Sequence, residues 1–199
     1  MSCICKINSG PNKGKKCGKP VKDGRFCRIH KQSGGLFQQS QTPRGILING
    51  THYSTDITEL KLDDNKLTSL PETIGDLKDL TRLYLYSNRL TTLPKTIGNL
   101  KGLTILSLAD NRLTSLPETI GDLTGLTDLY VQRNKLTSLP ETIGNLTGLW
   151  NLSLANNKLT SLPETIGNLT GLMNLWLDDN QLTSLPETIG DLTGLTDLY

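Results

Sequence analysis

Five side chains able to hold a soft metal ion fall within the first 30 residues: Cys3, Cys5, Cys17, Cys27 and His30. Cys27-x-x-His30 sets a thiolate and an imidazole at a short chelating spacing. Cys17, with Cys5 or Cys3, would complete the four ligands of a tetrahedral Zn2+ site. Gly14, Gly18 and Gly24 let so small a chain bend around an ion, and Phe26 is placed to pack over it. A segment this short has too little apolar surface to fold alone, so Zn2+ is its expected source of stability. Two other readings stay open. The cysteines could pair as disulfides, but that needs an oxidising compartment, and no apolar run follows the basic start as it would in a secretory signal. Alternatively, the head is a disordered basic tail with unused thiols.

The stretch carrying these ligands differs in charge from the rest of the chain. Residues 1–31 hold nine basic side chains against Asp23 alone, a net +8, which leaves −6 for the rest of a 199-residue chain whose total is +2. Two modules with different partners are expected. Residues 32–45, rich in Gly, Ser and Gln, read as a flexible linker. Residues 46–56 read as a hairpin on the two-residue turn Asn49-Gly50, a candidate N-terminal cap for the residues beyond it. His52 in this hairpin is expected to be a packed or surface residue, not a ligand.

From residue 57 onward one unit recurs. Asn65, Asn88, Asn111, Asn134, Asn157 and Asn180 are spaced by 23 residues at every step, and a fixed period of this size decides the architecture. Leu60 and Leu62 alternate with Lys61 and Asp63, the period-two pattern of a strand with one buried face. Leu67 and Leu70 point inward again. Pro71-Glu72 is expected to open a short helical turn with the proline at its first position, and Gly75 to end it. A lone unit buries almost nothing, so stability must come from stacking neighbours.

This unit resembles the leucine-rich repeat family, matching L-x-x-L-x-L-x-x-N-x-L, with Val131 replacing one leucine. The Leu-Pro-Glu-Thr-Ile-Gly continuation is similar to the 23-residue intracellular type found in signalling scaffolds and effectors. The resemblance covers residues 57–199, six full repeats and a truncated seventh. It implies an α/β solenoid, curved, with a parallel concave β-sheet and short convex helical or 3-10 turns. It also implies protein–protein interaction, not catalysis. In the head, Cys5-x11-Cys17-x9-Cys27-x2-His30 resembles the Cys3His finger of the WRC type and short Cys3His modules in proteins of large DNA viruses. On that resemblance Cys5, with Cys3 as its rival, joins Cys17, Cys27 and His30 as zinc ligands. It also makes a nucleic-acid-binding regulator, acting through residues 1–31, the alternative function.

Function in such a solenoid is expected on outward strand positions, where the repeats differ. One column reads Lys61, Tyr84, Ser107, Tyr130, Ser153, Trp176 and Tyr199, so large rings alternate with serines. Exposed Tyr and Trp are the usual anchors of an interface. The expected partner-binding residues are Tyr84, Tyr86, Tyr130, Arg133, Trp150, Trp176 and Asp178, with Trp150 and Met173 standing where other repeats carry threonine. Drift after duplication would leave the same pattern, since Leu-Ser-Leu-Ala returns two repeats apart.

No catalytic residue is expected. Neither histidine lies in a repeat or beside a serine or cysteine partner, and the recurring glutamates from Glu72 to Glu187 are explained by the helical turn. No apolar run approaches ~18 residues, so no membrane helix is expected. The expected location is intracellular: cytoplasm, nucleus, or a host's cytoplasm if the chain is viral. Asn49, Asn145 and Asn168 head glycosylation-type triplets that such a location makes accidental. Tyr199 falls inside the seventh strand with no cap after it, which favours a truncated or fragmentary chain. Metal analysis of the purified protein should find zinc, and Cys27→Ser should abolish it; undiminished zinc in that variant would refute the ligand set.

Overall fold

The computed structural model describes residues 45–199. The expected zinc ligands Cys5, Cys17, Cys27 and His30, and the linker up to residue 44, lie outside the described residues.

The described chain opens with an antiparallel hairpin, β1 (Gly45–Ile48) and β2 (Thr51–Ser54), in register from Gly45↔Ser54 to Ile48↔Thr51. Asn49 (φ 47) and Gly50 (φ 81) are both left-handed, as the mirror-image turn that matches strand twist requires. Ile46 and Ile48 are buried, and Tyr53 packs on the same core. The hairpin therefore covers the first repeat with apolar side chains.

Seven short strands form the body of the protein: β3 (Glu59–Lys61), β4 (Arg82–Tyr84), β5 (Ile105–Ser107), β6 (Asp128–Tyr130), β7 (Asn151–Ser153), β8 (Asn174–Trp176) and β9 (Asp197–Leu198). They make one parallel sheet in chain order, each pairing with the next at an offset of one repeat, as in Leu60↔Leu83 and Leu83↔Leu106. The return path of each repeat is a 3-10 turn, the first at Glu72–Asp76 and the last at Glu187–Asp191.

Two local expectations change. Pro71 precedes the turn in an extended conformation (φ −71, ψ 152) instead of occupying its first position. Its carbonyl accepts the Ile74 N–H at 3.0 Å, so its fixed φ shapes the entry while its oxygen closes the tight turn. Gly75 does not end the turn; it lies buried inside it, and Leu77 is the terminal residue. A Cβ on Gly75 would stand 2.5 Å from the Thr96 carbonyl of the next repeat. Glycine is there because adjacent backbones touch.

The core is a stack of leucines. Leu83, Leu85, Leu90, Leu100 and Leu103 are fully buried, as are their counterparts in the next three repeats. Each such side chain contributes about 2 kcal/mol by leaving water, and only neighbouring repeats supply the cover. Between the leucines runs a polar thread. Asn134 Nδ2 donates to the carbonyls of Leu108 in the previous repeat (3.0 Å), Val131 (3.0 Å) and Gln132 (3.3 Å), while its Oδ1 accepts the Leu113 N–H (2.9 Å). Asn88, Asn111 and Asn157 make the same four bonds. To present each asparagine inward, the residue before it turns left-handed, from Asp64 (φ 55) to Asp179 (φ 54).

Asn65 lies in the first repeat, is exposed, and among the described residues its side chain bonds only the Asp63 carbonyl at 2.8 Å. Asn134→Ala should therefore lower the unfolding free energy by about 3 kcal/mol, since it strands several buried backbone groups. Asn65→Ala should cost no more than about 0.5 kcal/mol. Urea unfolding of the two variants measures the difference.

Candidate binding face

Leucines at alternate strand positions point into the core, so the residues between them face solvent. Strand pairing then lines up equivalent positions: Lys61↔Tyr84, Tyr84↔Ser107, Ser107↔Tyr130, Tyr130↔Ser153 and Ser153↔Trp176 are direct register partners. Tyr84, Tyr130 and Trp176 are half-buried along their flanks, and Ser153 between two of them is buried. Trp176 stacks on Tyr199, ring centroids 6.5 Å apart and 3° from parallel.

At the other end of the column, Lys61 Nζ lies 5.7 Å from the centre of the Tyr84 ring. The same ammonium pairs with Glu59 at 3.2 Å, and Arg82 reaches Glu59 at 3.6 Å. Tyr86 is exposed in the next column, where Ala109 and Ala155 are buried. Arg133 pairs with Asp110 at 3.6 Å, and Asp178 is exposed.

Trp150 lies at the strand entrance, 56 % exposed, with Met173 beside it. In other repeats that position is a threonine whose hydroxyl donates to the backbone one repeat earlier, as Thr104 does to the Thr81 carbonyl and Thr127 to that of Thr104. Trp150 and Met173 interrupt this threonine ladder and place apolar surface where a hydroxyl would be.

Sequence reasoning passed over a further column, Glu59, Arg82, Ile105, Asp128, Asn151, Asn174 and Asp197, which opens each strand beside the aromatic one. Asn174 Nδ2 donates to Asn151 Oδ1 and Asn151 Nδ2 to Asp128 Oδ1, both at 2.6 Å. Asp128 also accepts from the Thr127 hydroxyl (2.7 Å) and the Tyr130 phenol (3.1 Å). The signal was present in the same 23-residue step, two places before the rings. Burial pushes the Tyr130 phenol above the ordinary tyrosine range, and the nearby Asp128 charge and hydrogen bond push the same way.

The model of the leucine-rich repeat region matches residues 56–135 and 129–199, most of the chain. The chain is a leucine-rich repeat protein. Such proteins are typically non-enzymatic scaffolds that mediate protein–protein interaction. Among solved structures, a leucine-rich repeat protein of Leptospira interrogans is 44% identical over 71% of this chain and 36% of its own, with a TM-score of 0.70. The functional domain of InlJ from Listeria monocytogenes is 32% identical over 71% of this chain and 29% of its own (TM-score 0.62). The PEPR1–AtPEP1 structure is 37% identical over 66% and 19% (TM-score 0.62). The leucine-rich repeat chain thus spans little more than a third of the longest-matched of these proteins. No curated protein sequence matches it. Among the described residues no helix is long and apolar enough to cross a membrane.

The raised Tyr130 value has a checkable sign. Its phenol should stay protonated above the ordinary tyrosine range, and Asp128→Asn should bring its titration part of the way down, leaving the burial contribution. Residue-resolved NMR titration of the tyrosine ring carbons reads both shifts.

Proposed function

We propose that this protein is an interaction scaffold or effector that binds a protein partner on the concave sheet face of its repeats, with a zinc-binding head, residues 1–31, as a second contact. The observation that carries the reading is the aromatic column held in register by strand pairing: Tyr84, Tyr130 and Trp176, each separated from the next by a serine. Rings in register offer large contact area at low entropy cost, with half-buried Ser107 between the first pair and buried Ser153 between the second. Tyr86, Arg133, Trp150 and Asp178 widen the face on either side. The likeness to the PEPR1–AtPEP1 structure supports a protein or peptide as the partner.

On this reading the protein works inside the cell, where reduced head cysteines are free to ligate Zn2+. A second reading, a nucleic-acid-binding regulator acting through the head, is favoured by the nine bases against one acid in residues 1–31. Affinity capture with the wild type and with Tyr130→Ala/Trp176→Ala tests the first reading. Partner recovery should fall by about tenfold or more with the circular dichroism spectrum unchanged. Equal recovery by the folded variant would remove it.

A further inference from the structure

Basic side chains on the repeats are not scattered. One position after each asparagine the chain carries Lys66, Arg89, Arg112, Lys135 and Lys158, a cation in five successive repeats, and all five are exposed. Backbone bonds keep them in line. The N–H groups of Arg89, Arg112, Lys135 and Lys158 donate to the carbonyls of Leu67, Leu90, Leu113 and Leu136, one repeat earlier, at 2.8–2.9 Å. None of the five meets a carboxylate within ion-pair distance among the described residues, whereas Lys61, Arg82, Lys101 and Arg133 each do. Like charges set side by side repel, so this column does not stabilise the fold.

The acids lie elsewhere. Glu72, Glu118, Glu141, Glu164 and Glu187 open the 3-10 turns. Two acidic pairs bound the basic column: Asp63 and Asp64 beside Lys66, and Asp178 and Asp179 beside Gln181, which stands where a sixth cation would be. Between these ends, the turns leaving strands β4 to β7 present Arg89, Arg112, Arg133, Lys135 and Lys158 against Asp110 alone, and Arg133 already pairs with it at 3.6 Å. The chain beyond residue 31 is net −6, so this rim is positive against the sign of the body that carries it.

We propose that the basic rim takes a short acidic segment of the protein partner, laid across the exits of strands β4 to β7 with its carboxylates against Arg89, Arg112, Lys135 and Lys158. The length fits. Three steps of one repeat span about 14 Å at the usual strand separation, which an extended chain covers in about four residues. Arginine forks take carboxylates through two parallel bonds. The exposed hydroxyls of Thr91, Thr114, Thr137 and Thr160, two residues beyond the cations, supply further donors. A phosphate chain suits the rim less well, because continued in either direction it meets Asp63 and Asp64 or Asp178 and Asp179. This inference rests on the scaffold reading and adds a contact outside the aromatic column.

Fluorescence anisotropy of the full chain at low ionic strength, with a labelled peptide of four glutamates flanked by Gly and Ser, tests it. The control is the same peptide with glutamines. The acidic peptide should bind about tenfold tighter, and added salt should weaken it. Arg89→Gln/Arg112→Gln/Lys135→Gln removes exposed charge only, and it should weaken binding about tenfold with the circular dichroism spectrum unchanged. The head is basic too, so the contact has to be located as well as measured. Carbodiimide coupling, which joins a carboxylate to an amine in contact with it, should mark Lys135 and Lys158 in the wild type.

Equal binding of the glutamine peptide, equal binding by the folded rim variant, coupling confined to the lysines of residues 1–31, or no binding at all would overturn the proposal. So would a thymidine oligonucleotide of equal charge that binds tighter than the peptide and loses affinity in the rim variant, because the rim would then serve nucleic acid. Tyr130→Ala/Trp176→Ala keeps the rim and should bind the acidic peptide as the wild type does. Loss of captured partner in that variant and loss of peptide in the rim variant therefore report on the two readings separately.

Discussion

The four hydrogen bonds made by one asparagine amide per repeat hold the remainder of this structure in place. Asn111 donates to the Leu85 carbonyl one repeat earlier and to Leu108 and Ala109 in its own, and it accepts the Leu90 N–H. The chain leaves the sheet at this point, and turning backbone would otherwise bury donors and acceptors with no strand to pair them. No other side chain of that size both donates and accepts through a rigid planar group. Fixing the exit of one repeat against the next also fixes the strand register, and register is what stacks position on position across the sheet.

Contact between backbones on the opposite side does similar work by steric means. Gly75, Gly98, Gly121, Gly144 and Gly167 each face the carbonyl and Cβ of a threonine in the next 3-10 turn, too close for any side chain. With the asparagines on one side and the glycines on the other, the spacing between repeats has little freedom. The leucines fill what lies between at the density of an organic crystal. Each repeat is stable only through its neighbours, so the cost of a defect is carried by the repeats that adjoin it.

That rigidity leaves the outward strand positions free of structural duty, and there the repeats differ. The column of rings and serines is held by the same pairing that aligns the leucines, so its spacing is as regular as theirs. Beside it, the chain Asn174–Asn151–Asp128–Tyr130 is bound side chain to side chain. It fixes the carboxylate next to the rings, and that charge adds to burial in raising the Tyr130 phenol. A surface that is preorganised loses less entropy when a partner arrives.

The sequence by itself determined the stacked repeat and the alignment of columns, and its resemblance to leucine-rich repeats implied the parallel sheet. A 23-residue period with alternating leucines hides its apolar side chains only when neighbouring units stack. It also identified the aromatic column, because alternation tells inward from outward within a strand. Only the tertiary structure decided what depends on the neighbouring repeat. Gly75 looks like a helix terminator until Thr96 is seen against it, and Pro71 looks like a first helical residue until its extended entry is measured. The Asp128 column escaped notice for the same reason. Its residues share no chemistry along the chain, and they become a connected row only when strands from separate repeats lie side by side.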